Sequence, residues 1–348
     1  MLTRRTLCLS ASTFAVARFL HSQTTPESSR PDVALVDHDH IVMTAESAFK
    51  SRLSDDLTTG TIPALTVAML LFRISDPARA ATYFATAVAH LHYLLVAPST
   101  RLNNELAETN NPEDVVPLTP LAEIAATLPF LETQRAAQPD QLPLADLAAM
   151  KSWFTELLHQ LNTSRTAGLA RDRKDHVAGV WLLLAAACAH ATADDGALVN
   201  LRHHFRSVTV RAQIFADGTF PHELSSHYPY RNSLFTLDLL SGAAELLSTK
   251  FESLWDFQLQ DGPGLRVAVA KHAPWIANRG TWPYPSDTPH FHDLPCRRPA
   301  LLFAARAYSR PEYATIWRTS APSEPSVPEL LATFPIRQPL LWFTRSHA

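Results

Sequence analysis

The chain has 348 residues, 46% of them hydrophobic and 18% charged, a balance that supports a buried core and excludes a disordered chain. Lys and Arg number 30 against 33 Asp and Glu, so there is no electrostatic footprint for nucleic acid, while a local basic cleft for an acidic glycan stays open. Nine glycines are too few for a turn-dense all-β fold, and the 26 prolines fall between apolar stretches, where they punctuate helices.

In chain order, Thr3-Arg4-Arg5-Thr6-Leu7 precedes an apolar, acid-free run from Thr6 to Leu20 and then the polar His21 to Arg30. This pattern predicts a signal peptide over residues 1–25, of twin-arginine or ordinary secretory type, and a periplasmic or secreted protein without stable membrane insertion. The run is short for a membrane span. Cys8 lacks the context of a lipid-anchored cysteine. Cys188 lies in an apolar helical stretch and reads as a buried thiol, with a bond to Cys296 left open.

Residues 31–348 read as one domain. Helical periodicity predicts helices over Ala64–Ile74, Pro77–Val96, Pro120–Leu131, Leu144–Leu161, His176–His190 and Gly196–Ile214. It continues over Ser233–Ser248, Pro263–Ala277, Arg298–Ser309 and Pro311–Trp317, with little strand-like alternation. Val177 to Ala189 is apolar nearly all round, as in a helix shielded on both sides, whereas Gly196 to Ile214 carries a charged face with Arg202, His203 and Arg206. Inner and outer helices thus alternate. With no repeat of fixed period, this predicts an all-α fold, an (α/α) toroid or incomplete barrel of antiparallel hairpins. Pro98 to Thr119 and Gly280 to Arg298 are long excursions of the kind that build a cleft.

Some chemistries can be set aside. His222-Glu223-Leu224-Ser225-Ser226-His227 has histidines five apart rather than four, so they do not share a helix face as a zinc protease requires. Asp37-His38-Asp39-His40, and His290 with His292, lack a complete ligand set at a recognisable spacing, and no metal is predicted. No Gly-x-Ser-x-Gly elbow occurs.

Several stretches match in order and spacing the alginate lyase family of helical polysaccharide lyases. Thr100-Arg101-Leu102-Asn103 is similar to a Thr-Arg-Met-Asn segment, and Lys151-Ser152-Trp153-Phe154 to a helix of that family. Gln213-Ile214, Asp217-Gly218 and Glu223-Leu224 follow its Gln-Ile, Asp-Gly, Glu-Leu run. Tyr230 to Asp238, Trp282 to Pro285 and Phe334 to Trp342 are the strongest local matches. The resemblance covers most of the mature chain and implies a helical toroid that eliminates across C4 and C5 of a uronate in an acidic, alginate-like polysaccharide, with no obligatory cofactor. It also implies departures. The family's Asn-Asn-His helix start reads Lys174-Asp175-His176 here, its Arg position falls on Ser226, and its Tyr position on Asn232. The tryptophan-rich segment that precedes Thr-Arg-Met-Asn in the family has no counterpart between Phe49 and Ala64.

Elimination requires a cation or donors to neutralise the uronate carboxylate, a base for the C5 proton and an acid for the departing 4-oxygen. The candidate catalytic residues are His176, which neutralises or takes a proton, Tyr230 as acid or base, Arg231 as carboxylate binder, and Asp175, an acid to be paired by Lys174 or His176. Tyr228, Tyr230 and Arg231 are read as sharing a loop whose register is free. Candidate substrate-binding residues are Arg101, Asn103, Tyr228, Trp282 and Tyr284. Each has a structural alternative: His176 as a helix-end polar group, Tyr230 and Arg231 as packing for a helix beginning at Ser233 with Asn232 as its N-cap, and Trp282 and Tyr284 as plugs against helix ends. Glu223 reads as structural, paired with an arginine. Two rival functions stand beside the lyase: a glycan-binding protein without turnover, and a hydrolase with a second carboxylate facing Asp175.

Overall fold

The computed structural model describes residues 38–51, 60–106, 108–136, 139–284, 286, 291–294, 297–320 and 333–343. The expected signal peptide, Cys8, Asp37, Pro285, His290 and Cys296 lie outside them, as do the side chains of His38, Asp39 and His40.

Among the described residues the chain folds into helices α1 (His38–Ser51), α2 (Ile62–Ile74), α3 (Pro77–Leu95), α4 (Pro120–Arg135), α5 (Leu144–Thr163), α6 (Arg165–Arg171) and α7 (His176–Thr192). There follow α8 (Asp195–His204), α9 (Val210–Gln213), α10 (Pro221–Leu224), α11 (Pro229–Leu247), α12 (Leu265–Ala277), α13 (Pro299–Ala307) and α14 (Pro311–Thr319). The prolines do the punctuation that their fixed φ favours, occupying the first turns of α2, α3, α4, α11, α13 and α14. Side-chain caps finish the job at α3, where Asp76 accepts from the amides of Ala78 and Arg79, and at α7, where Asp175 accepts from Val177.

The helices form two layers. The inner ring runs α2, α4, α7, α11, α13, each packed on the next, and these are the helices whose side chains are buried nearly all round. The outer helices α3, α8, α12 and α14 pack back on their inner partners, while α5 leans on α7 and α3. The expected (α/α) toroid is what the chain forms. A carboxy-terminal 3-10 turn, Pro339–Trp342, packs against α2, α4 and α13. Arg73 of α2 donates to the carbonyls of Leu341 (2.9 Å) and Phe343, and Glu123 of α4 accepts from the amide of Gln338 at 2.6 Å. Gly242 of α11 lets this segment in, since a Cβ there would lie 2.6 Å from Ile336. Each large apolar side chain buried in such a layer contributes about 1.5–3 kcal/mol.

Two expected boundaries move. The helix over Gly196–Ile214 is interrupted by a π turn, Phe205–Thr209. Of more consequence, α11 begins at Pro229, not Ser233, so Tyr230, Arg231 and Asn232 stand in its first turn.

Candidate active site

The amino-terminal end of α7 is the centre of the site. His176 is its first residue, and its imidazole Nδ1 lies 3.2 Å from Oε2 of Glu223 on α10. The other oxygen of Glu223 accepts from the backbone amide of His176 and from the Thr236 hydroxyl of α11 at 2.8 Å. Glu223 is 1% exposed, whereas the His176 side chain keeps 16% of its surface open. A buried carboxylate with three donors stays inside at little cost. Burial of the ring by itself lowers the pKa of His176, but the hydrogen bond and charge of Glu223, with Asp175 and Glu113 adding to them, leave it raised above 6.5. Glu223 is therefore partnered by a histidine, not by the expected arginine. A proton on Nδ1 faces Glu223, which leaves Nε2 as the atom for chemistry.

Asp175 is committed elsewhere. One oxygen caps α7 through the Val177 amide at 3.1 Å, and the other takes Arg173, whose Nε lies at 2.9 Å. Its partner is thus Arg173 rather than Lys174 or His176, because the N-cap geometry turns the carboxylate back along the incoming chain. The long excursion before α4 also reaches this corner. Its 3-10 turn, Pro112–Leu118, packs on α6 and α7, and the Glu113 carboxylate stands 3.9 Å from His176 Nε2 and 4.0 Å from the Arg173 guanidinium.

The first turn of α11 forms the opposite wall. In a helix successive side chains diverge by about 100°, and here they do. Tyr230 points inward: it is 1% exposed, its hydroxyl donates to the Trp275 carbonyl at 3.1 Å, and its ring packs on Trp282 and Phe291. This placement corrects the loop reading, since Tyr230 stands in the first turn of α11 with its side chain turned into the core. Arg231 is half-buried, with its guanidinium 3.8 Å over the Tyr228 ring and its Nε donating to Asn232 Oδ1 at 3.3 Å. Asn232 is no N-cap; it is buried, and its amide donates to the Ser226 hydroxyl at 3.2 Å, which in turn donates to the Glu223 carbonyl at 2.7 Å. A polar chain thus links Arg231 to the residue that holds His176. Ser226 and Asn232, at the positions where the resemblance expects Arg and Tyr, are bonded to each other.

Of the other candidates, Arg101 and Asn103 are exposed, on a segment pinned by Trp153, whose indole donates to the Leu102 carbonyl at 3.0 Å and whose carbonyl accepts from Asn104. No described contact ties either to His176. Trp282 is 7% exposed and packs against Tyr230, Trp275 and Tyr284, the arrangement expected of its structural alternative as a plug. Tyr284 is 40% exposed and retains an open side. Glu113, Arg173 and Thr236 join the site without having been singled out from sequence; Glu113 and Arg173 lie in no motif, and Thr236 falls within the Tyr230 to Asp238 match.

An all-helical double ring of this kind is the fold of the helical polysaccharide lyases. The family model described as alginate lyase matches residues 77–282, more than half of the sequence, and the chain belongs to that family. Polysaccharide lyase, a carbon-oxygen lyase, is therefore its enzyme class. Among solved structures, an alginate lyase from Bacteroides ovatus superposes with a TM-score of 0.63 at 19% identity, covering 78% of this chain and 73% of that one. Alginate lyase A1-III from Sphingomonas species A1 gives 0.51 at 13% identity, covering 81% and 88%. At such identities these likenesses establish the fold. No curated protein matches the sequence. Among the described residues no single helix is long and apolar enough to cross a membrane.

Proposed function

We propose that the protein is an exported, periplasmic or secreted lyase that cleaves an acidic, uronate-containing polysaccharide by β-elimination. The observation that carries this reading is the His176 imidazole, fixed through Nδ1 by the buried Glu223 and open at Nε2. In the neutral form Nε2 takes the C5 proton. Arg231, stacked on Tyr228, neutralises the adjacent carboxylate as charge develops there, and the Tyr228 hydroxyl protonates the departing 4-oxygen. Asp175 holds Arg173 and the start of α7 in place. Tyr284 offers a face for a sugar ring, with Arg101 and Asn103 further along the chain's cleft-forming excursion. None of these steps calls for a cofactor.

A second reading, a glycan-binding protein without turnover, is favoured by one observation: the bond between Ser226 and Asn232, which fills the places of the family's Arg and Tyr with short, neutral side chains. A hydrolase has less support, because Asp175 is already spent on Arg173 and the helix cap. The test is the ultraviolet absorbance of the unsaturated uronate released from a panel of uronate polysaccharides by the mature protein. A signal that falls about 10²- to 10⁴-fold in His176→Ala is the expected result. Binding of a glycan with no signal at any pH would replace the lyase by the binding protein.

A further inference from the structure

The Glu113 carboxylate has no hydrogen-bonded partner among the described residues, yet it meets two cationic groups of the site, His176 Nε2 at 3.9 Å and the Arg173 guanidinium at 4.0 Å. Its backbone is held in place, because its amide donates to the Asn111 side chain at 3.2 Å and the turn packs on α6 and α7. Its side chain is half exposed and is the acidic group that stands nearest Nε2 among the described contacts. The charges around it come in pairs. Asp175 offsets Arg173, and Glu223 offsets His176 when the imidazole is protonated, so Glu113 is left as a negative charge without a matched cation. A carboxylate in that place does to the cations what a bound uronate would do, and an approaching uronate must displace it or be repelled by it.

Resting on the lyase reading of this site, we propose that Glu113 is its specificity-determining residue: its carboxylate stands beside His176 and Arg173, where it repels the carboxylates of uronates that flank the one held by Arg231, so the protein prefers glycans whose uronates are spaced by uncharged sugars over unbroken polyuronates. A chain with a carboxylate on every ring brings about twice as many like charges within a Debye length of Glu113 as a chain in which uronates alternate with uncharged sugars. The preference is therefore strongest at low salt and fades as salt is added.

The near-isosteric Glu113→Gln variant tests this, with binding measured by calorimetry for two probes, alginate oligosaccharides and oligosaccharides in which glucuronate alternates with an N-acetylated hexosamine. The variant is expected to bind alginate oligomers about three- to tenfold more tightly at low ionic strength, with a smaller gain for the alternating probe. In the same samples, nuclear magnetic resonance of the His176 ring is expected to show its titration moved to lower pH, because a neighbouring anion has been removed. An unmoved titration, or equal gains for both probes, overturns the role of Glu113 even if the wild type cleaves alginate. A moved titration with neither probe bound by either protein overturns the lyase reading of the site, and the specificity falls with it.

Discussion

Two hidden carboxylates, one on α11 and one beside it, serve different ends. Asp238, on α11, pairs at 2.5 Å with Arg298, and the two side chains are 0% and 1% exposed. Asp238 also accepts from the Ala300 amide, and Arg298 donates to the Thr333 carbonyl, so the pair ties α11 to α13 and to the carboxy-terminal segment. Glu223 is as deeply buried and also touches α11, through Thr236, but its partner is a histidine that keeps 16% of its side chain exposed. Burial of the acid does not separate architecture from chemistry here. The partner does. Arginine keeps its charge at every working pH and is sealed in, while histidine titrates near neutrality and keeps one nitrogen open.

The sharpest way to break the comparison is Asp238→Ala, which strands a buried guanidinium. A loss of about 3–5 kcal/mol in unfolding free energy is expected, read from denaturant midpoints, with activity per folded molecule retained. A loss below about 1 kcal/mol would show that Arg298 finds other partners, and the pair would cease to be structural in the sense drawn above. Glu223→Gln is next. It keeps the shape and removes the charge, so burial is left to lower the pKa of His176 with less to oppose it. A general base works in its neutral form, so the wild-type rate climbs with pH through the raised pKa; in the variant that climb begins at lower pH, and the plateau is about 10- to 100-fold lower because the ring is less well held. Stability follows the same linkage. A histidine whose folded pKa is raised contributes stability that is complete below the ordinary value of 6.5 and lost as pH rises through the folded value, and the variant should lack this slope. A pH profile of rate that does not move would detach Glu223 from the chemistry.

The ring architecture was legible because it rests on patterns that survive in one dimension. Apolar runs such as Val177 to Ala189 can only be inner helices, and prolines mark the first turns of their neighbours. His176 was legible too, by its place at a helix start. What the pattern did not carry was pairing across the fold. Glu113 and Glu223 reach His176 from 63 and 47 residues away, and neither lies in a motif that names its partner. Glu223 was expected to be structural and to meet an arginine because it falls in the spacing frame of the resemblance and not at a catalytic position; three well-aimed donors make a histidine sufficient. The Asp217-Gly218 match also has a backbone reason, since Gly218 sits at a φ of 86° against the Val267 carbonyl, where a Cβ would clash.

The α11 wall shows how one boundary decides several assignments at once. With the helix taken to begin at Ser233, Tyr230 and Arg231 had free register and either could stand in for the residues absent at 226 and 232. With Pro229 as its first residue, the register is fixed: Tyr230 faces the aromatic plug, and Arg231 turns out over Tyr228. The smallest predicted effect follows. Tyr230→Phe removes one buried hydroxyl and leaves the Trp275 carbonyl short of a donor, at a cost of about 0.5–1.5 kcal/mol, while the elimination rate per folded molecule is unchanged. Should the rate fall tenfold or more with the unfolding midpoint in place, Tyr230 would reach the substrate in a conformation other than this one, and the first turn of α11 would have to open for catalysis. The same pair of measurements on Tyr228→Phe gives the contrast, since a half-buried ring beneath Arg231 is expected to change the rate and leave the fold intact.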